Sequence, residues 1–261
     1  MERTRLKRLL LPAMVALLVA TAGCSALPGG DSEAAGYDVA GSELDGQTIT
    51  DTTTDAVEDA GSFTIETDSS VTTSQGGAEQ TGLSTIQVDL DDDRGIRNQT
   101  QSYSTENQTR EQISVVYTDG STSYRKQTSQ GETTYDQQEG PQQSITGIRP
   151  VNTTAFTQNY TSIVDGFSWE QDGSGEVDGV AVTEYSLTGE PDKDVLNLPE
   201  NATVEDASGA LYIDSDGVLR QADIAYTVTT ERGTTSIDAT TTLTDVGSTS
   251  VEEPGWLSEV S

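Results

Sequence analysis

The chain has 261 residues, of which 44 are acidic and 13 basic, and its formal net charge at pH 7 is −31. It contains no histidine, and its single cysteine and both methionines lie within the first 24 residues. The remainder therefore lacks imidazole, thiolate and thioether groups, which excludes zinc, blue-copper and haem sites built on them, and Ser-His-Asp or Cys-His catalysis. We expect no enzymatic activity, no cofactor and, because of the negative charge, no nucleic-acid partner.

The N-terminus predicts export. Basic residues between positions 3 and 8 precede an apolar run, Leu9–Ala22, and small residues then lead into Cys24. Residues 1–23 are therefore predicted to be a secretory signal peptide. The stretch Leu18–Cys24 resembles the lipobox of exported lipoproteins. This resemblance implies that Cys24 carries a lipid and holds the chain on the extracellular face of the cell membrane.

Two other interpretations of this stretch stay open. A transmembrane anchor needs about 18 to 20 apolar residues, whereas the run from Leu9 to Ala22 has 14. An ordinary signal peptide followed by a chance cysteine would leave a lone free thiol on an exported protein, which is unusual.

The composition changes after the signal peptide. Without residues 1–23 the chain keeps 43 acidic and nine basic residues, a balance that resembles proteins of halophilic archaea, in which salt screens the repulsion between carboxylates. Residues 24–47, with Pro28, Gly29 and Gly30 near their start, have no apolar period and are predicted to form the lipidated cysteine and a flexible tether. Residues 48–261 are predicted to form a single monomeric domain.

The first part of this domain passes from helical to strand periodicity. A capping pattern and a thin apolar stripe predict a short helix near Thr52–Ala60, ended by Gly61. From Ser62 onward apolar residues alternate with polar ones, which predicts strands with one buried face. The alternating runs are Phe63–Ile65, Ile86–Leu90 and Ile113–Tyr117, followed by a hairpin turn at Asp119-Gly120.

The second part contains another helix and a strand-rich end. After a predicted loop at 137–150, apolar residues spaced by four, seven and eight indicate a helix from about Phe156 to Val164, closed by Gly166. Turns are predicted at Asp172-Gly173 and Asp178-Gly179, and a connection at 190–208. The predicted strands are Val180–Leu187, Ala210–Asp214, Val218–Thr230 and Thr234–Val246.

The order of these elements resembles the LolA-like lipoprotein carriers and the mycobacterial lipoproteins of the LprG type. The matching stretches are Asp55–Thr64, Tyr212–Arg220 and Asp245–Pro254. The chain is also similar to haloarchaeal lipoproteins of unassigned function. The resemblance implies a mainly β, α+β fold, in which one large curved antiparallel sheet forms a half-barrel around one or two helices and leaves an apolar cavity for acyl chains.

An apolar ligand cavity is the main candidate site. Period 3.6 places the helix residues on one stripe and period 2 places the strand residues on one face. The same side chains could instead form a filled core, so a carrier of a lipid or other apolar ligand and a structural envelope lipoprotein both stay open. The candidate cavity residues are Phe156, Tyr160, Ile163, Ile224, Tyr226 and Val228.

Two further patterns have simple interpretations. The carboxylate run at Asp89 and Asp91–Asp93 could hold Ca²⁺, but a solvated turn between strands explains it better, and we predict no metal site. Five sequons make glycosylation of an exported chain conceivable, although a threonine-rich chain produces such sequons by chance. Their asparagines are Asn98, Asn107, Asn152, Asn159 and Asn201.

Overall fold

The computed structural model describes residues 44–74, 77–105, 107–139, 161, 163–189, 191–193 and 198–260. The predicted signal peptide, Cys24 and most of the predicted tether lie outside these residues. The described helix and strands are α1 (Gly46–Ala60), β1 (Ser62–Thr73), β2 (Ala78–Asp89), β3 (Arg94–Thr105), β4 (Gln108–Thr118), β5 (Thr122–Ser129), β6 (Glu132–Glu139), β7 (Ser168–Val177), β8 (Val180–Thr188), β9 (Thr203–Asp214), β10 (Leu219–Thr230) and β11 (Gly233–Thr244).

The described strands form one antiparallel sheet of eleven. Their order across the sheet is β6-β5-β4-β3-β2-β1-β11-β10-β9-β8-β7. All neighbours except β1 and β11 are consecutive in the chain, so the fold is two meanders joined where the first strand pairs with the last. The predicted mainly β fold with one large antiparallel sheet is confirmed.

Helix α1 begins six residues earlier than the sequence predicts. Asp45 caps it, because its Oδ1 accepts a hydrogen bond of 2.6 Å from the backbone N–H of Thr48. Gly61 ends it in the left-handed conformation at φ 74°, which glycine adopts without steric cost. The first two turns escaped prediction because they are rich in threonine, and only Ile49 and Val57 are deeply buried apolar residues of the helix.

The sheet has an inner face, which α1 covers at one end, and an outer face. Val57 of α1 packs against Phe63, Ile65, Val88 and Leu243, which are inner-face residues of three adjacent strands. Because side chains alternate along a strand, these positions and the pairing register assign every other residue of the neighbouring strands to the same inner face. This end of the inner face is a filled core.

A second helix, α2, is described at residues 161 and 163–166, and it joins the same core. The backbone N–H of Gly46 donates to Asp165 Oδ1 at 2.8 Å, and the Trp169 indole donates to the Val164 carbonyl at 3.0 Å. Val164 is buried in a second apolar cluster with Ile49. The predicted helix around Phe156–Val164 is therefore described only at its C-terminal end.

The C-terminal segment passes back across the outer face. The Thr249 hydroxyl lies 2.8 Å from the Thr64 hydroxyl on β1, and the Trp256 ring stacks on Tyr135 of β6 at 6.1 Å between centroids. Between these contacts lies Tyr117 of β4, whose pKa is raised chiefly by burial, with Glu253 adding to the effect. The segment explains why Tyr117, at an outer-face position, is only 2% exposed.

Three local predictions were wrong. Asp172-Gly173 is not a turn but a bulge within β7, where the pairing register with β8 shifts. The predicted loop at 137–150 begins too early, because β6 continues to Glu139, and the predicted connection at 190–208 runs into β9, which begins at Thr203. The missed part of β6 is polar on both faces. The missed part of β9 contains two apolar residues, Val204 and Ala207, three positions apart at a register shift, so neither segment shows apolar alternation.

Candidate ligand-binding site

The structure describes four of the six predicted cavity residues; Phe156 and Tyr160 lie outside the described residues. Ile163 packs against the apolar cluster beneath α1. Ile224, Tyr226 and Val228 occupy successive inner-face positions of β10, opposite Ala239, Ile237 and Thr235 of β11. Ile224 and Val228 are each 7% exposed, so two of the three strand residues are already largely packed.

Tyr226 lies between Ile224 and Val228 on the inner face of β10, and its side chain is partly buried. Its ring is tilted against Phe167, at 6.0 Å between centroids, and Phe167 in turn meets Trp169 edge to face. Burial raises the pKa of the Tyr226 hydroxyl, which keeps it neutral at physiological pH. The rings of Tyr226, Phe167 and Trp169 therefore form an apolar, uncharged surface on the inner face.

Beyond α1, at the opposite ends of the strands, the inner face contains two open clefts. The first has a volume of about 380 Å³ and the second about 330 Å³, which is the lower end of the range for small-molecule sites. Both are lined by Gln80 and Tyr103, so they are adjacent parts of one groove. Arg232 lines the first cleft, and Arg110 and Gln112 line the second. Sequence reasoning did not single out this groove.

A transverse row of inner-face residues runs through this region, from cationic to apolar. Neighbouring strands lie about 4.8 Å apart, so a row over six strands is about 24 Å long along the sheet. At one end stands an arginine, in the middle are a tyrosine and a glutamine, and the other end is apolar. In register order the row is Arg110, Tyr103, Gln80 and Val71, which line the clefts, followed by Ile237 and Tyr226, which continue the row beside the clefts without lining them.

Acidic and basic residues are divided unequally between the two faces of these strands. In the described strands β1–β5, β10 and β11, every acidic residue occupies an outer-face position, whereas inner-face positions hold Arg97, Arg110 and Arg125. The seven acidic residues are Glu66, Asp68, Glu79, Asp89, Glu111, Asp223 and Asp238. Burial does not account for their absence from the inner face, because Tyr103 in the groove is 46% exposed.

Arg97 lies nearest to the core among the inner-face arginines. It pairs across the strands with Ile86 and Val116, and its Nε atom is buried with no hydrogen-bond partner. Burial lowers the pKa of its guanidinium, which still remains charged at neutral pH. No carboxylate among the described residues lies within ion-pair distance of Arg97, so its positive charge on the inner face is not compensated by an ion pair.

The other predicted sites have simple geometry. Asp91–Asp93 form the β2–β3 turn, where Asp89 Oδ1 accepts from the Asp92 N–H at 3.2 Å. Among the described residues, no three Asp, Glu, His or Cys side chains converge as a metal site would require. Asn98, Asn107 and Asn201 are exposed; Asn152 and Asn159 lie outside the described residues.

A family model described as a family of unknown function, DUF7537, matches residues 9–260. The chain belongs to this family. No curated protein matches this member of DUF7537. No helix within the described part of the chain is both long and apolar enough to span a membrane.

Several solved structures are similar to this DUF7537 protein. LprF from Mycobacterium bovis is 14% identical, with 80% of this chain and 97% of that chain covered and a TM-score of 0.38. LppX from Mycobacterium tuberculosis is 12% identical, with coverages of 74% and 92% and a TM-score of 0.32. A LolA superfamily protein from Nitrosomonas europaea is 8% identical, with coverages of 81% and 96% and a TM-score of 0.20. No ligand or activity follows from similarity at this level.

Proposed function

We propose that this chain is a membrane-anchored, extracytoplasmic binding protein that takes an elongated amphiphile across the inner face of its sheet. The observation that carries the proposal is the transverse row, which changes from apolar at Tyr226, Ile237 and Val71 to polar at Gln80 and Tyr103. A ligand with an apolar body and a polar end matches this order. The groove is open, so a long molecule has access from solvent.

The apolar half of the row supplies the contact area. Val71 and Ile237 pair directly across β1 and β11, and both side chains are only partly buried. Each apolar side chain covered by a ligand contributes roughly 1–2 kcal/mol, because burial of apolar surface is favourable. The filled core beneath α1 holds the strands in place and does not compete with the ligand for the groove.

Binding by this half of the row can be tested with Ile237→Gln. We expect this substitution to weaken binding of a fluorescent fatty-acyl probe by about five- to tenfold, because it removes apolar contact from the centre of the row. Leu83→Gln is the matched control, since Leu83 is 57% exposed at an outer-face position of β2. Equal probe affinity of the two variants and the unmodified chain would contradict the proposed site.

A second candidate function is a structural envelope lipoprotein without a small ligand. It is favoured by the low exposure of Ile224 and Val228, which already pack at the border of the groove. The two functions are separated by native mass spectrometry of the chain purified from its own host. A co-purified amphiphile supports the binding protein, whereas a bare chain together with no probe binding supports the structural role.

The proposed anchor is the lipid on Cys24. We expect Cys24→Ser to release the chain from membranes into the medium, because the lipid is then the attachment that holds it. Fractionation of cells by centrifugation and immunodetection measures the release, and Ser25→Ala serves as the control for a change next to the cleavage site. Retention of the Cys24→Ser chain in membranes with residues 1–23 still attached would instead indicate a transmembrane anchor.

A further inference from the structure

We infer that the groove recognises an anionic oxygen group of its ligand, a phosphate, sulfate or carboxylate, through the arginine that borders either of its clefts, Arg110 or Arg232. The inference rests on the proposed function and adds the charge of the ligand to it. Its starting point is the division of charge: acidic residues at inner-face positions are absent from seven adjacent described strands, in a chain with 44 acidic residues.

Among the described arginines, Arg110 and Arg232 are the two that line the clefts, and neither forms an ion pair. Arg125 forms an ion pair of 3.0 Å with Asp136, and Arg220 one of 2.8 Å with Asp214. Arg110 donates instead to a neutral acceptor, Gln108 Oε1, at 3.0 Å. Among the described residues, neither Arg110 nor Arg232 has a carboxylate within ion-pair distance.

Arg110 and Arg232 stand at opposite ends of the groove. Arg232 lines the first cleft with Val71, and Arg110 lines the second, while Tyr103 and Gln80 border both clefts. Glu111 also borders the second cleft, but its strand position faces outward, between Arg110 and Gln112. The groove thus offers two guanidinium groups over a floor of neutral residues.

A guanidinium group suits an anionic oxygen ligand for geometric reasons. Its planar fork donates two parallel hydrogen bonds to a phosphate or carboxylate, and such bonds are stronger than those between neutral groups. A carboxylate on the inner face would compete for the same donors and repel the ligand. The described strands β1–β5, β10 and β11 have no acidic residue at an inner-face position. An anion in the groove is therefore repelled less than elsewhere on this strongly anionic protein.

The test compares three probes by calorimetric titration of the purified full chain. The probes are dodecyl phosphate and dodecyl maltoside, both below their critical micelle concentrations, and inorganic phosphate. We expect dodecyl phosphate to bind more tightly than the other two. The double variant Arg110→Gln/Arg232→Gln should lose about tenfold in affinity for dodecyl phosphate and stay within about twofold for dodecyl maltoside.

Lys126→Gln is the matched control, because it also removes a positive charge but lies at an outer-face position of β5. It should change neither affinity by more than about twofold. Equal binding of the two amphiphiles, unchanged in the double variant, would overturn the anionic group and leave the proposed function standing. Binding of neither amphiphile would overturn the proposed function itself. Inorganic phosphate that binds as tightly as dodecyl phosphate, and loses affinity in the double variant, would support the arginine site and overturn the amphiphile.

Discussion

Replacement of Asp214 by alanine should lower the free energy of unfolding by about 3–5 kcal/mol, because it breaks a buried ion pair and leaves one charge without its partner. The Asp214 side chain is 4% exposed and lies 2.8 Å from the Arg220 Nε, and the Arg220 side chain is only 15% exposed. Asp214 Oδ1 also accepts from the backbone N–H groups of Asp216 and Val218, at 3.0 Å each. Alanine would leave all three donors without this acceptor.

Asp216→Ala is the control for this prediction. Asp216 is exposed in the same turn, so its removal changes the net charge by the same amount but breaks no buried contact. We expect a change within about 0.5 kcal/mol. Urea unfolding at one fixed salt concentration measures both variants. A loss below about 1 kcal/mol for Asp214→Ala would mean that the pair contributes little more than an exposed one.

The strands that the sequence predicts best are those beneath the core. β10 and β11 alternate clearly because every second residue of each strand packs inward, from Ala222 to Val228 and from Ile237 to Leu243. β8 was also predicted to within a residue, and the turn after β7 was correct at Asp178-Gly179, where both residues have positive φ. Apolar periodicity and turn chemistry carry this information locally.

β3, β5 and β6 could not be predicted in the same way. Apart from Gly95 and Tyr103 of β3, their inner-face positions carry arginine, glutamine, serine and threonine and, in β6, Glu132 and Asp136, so polar residues stand on both sides of each strand. What holds these strands is backbone pairing with neighbours that the sequence does not identify. Their place in the sheet depends on contacts distant in sequence, which a periodicity argument does not contain.

The candidate site also has a part that local periodicity predicts and a part that depends on strand pairing distant in sequence. Period 2 places Tyr226 and its β10 neighbours on one face, and the structure has them there. Arg110 and Gln80 were missed because they become neighbours only through Tyr103, in the register of β2, β3 and β4. The sequence of β3 did contain one local signal for the groove. From Arg97 to Tyr103, every second residue has a long side chain that can form hydrogen bonds, and the residues at the intervening positions are Asn, Thr and Ser.

The charge distribution also bears on how so acidic a chain folds. Five of the seven acidic residues at the outer-face positions of β1–β5, β10 and β11 are exposed, so water and salt screen the repulsion between their carboxylates. A carboxylate on the inner face near the core would lose hydration without a partner. In strands β1–β5, β10 and β11, the stability of the sheet and the proposed amphiphile site favour the same arrangement, with acidic residues at outer-face positions and neutral or cationic residues at inner-face positions.

Leu211→Ala, a truncation in the core of β9, should strongly destabilise the fold. The Leu211 side chain is fully buried, at 0% exposure, and belongs to the cluster that joins Ile49 of α1 to Val164 of α2. Alanine would leave a cavity between the helices and the sheet, and neighbours on a paired strand have little freedom to fill it. We expect a loss of about 2–5 kcal/mol in the free energy of unfolding.

Leu83→Ala makes the same chemical change at the surface, because Leu83 is 57% exposed on the outer face of β2. We expect its effect to stay within about 0.5 kcal/mol. Urea unfolding followed by circular dichroism measures the two variants side by side. The difference between them reflects the burial of Leu211, since both variants make the same leucine-to-alanine change within a β-strand. Equal losses for the two variants would mean that the helices do not pack on β9 tightly enough to bury Leu211. The strands at the apolar end of the transverse row would then lack the support of this core.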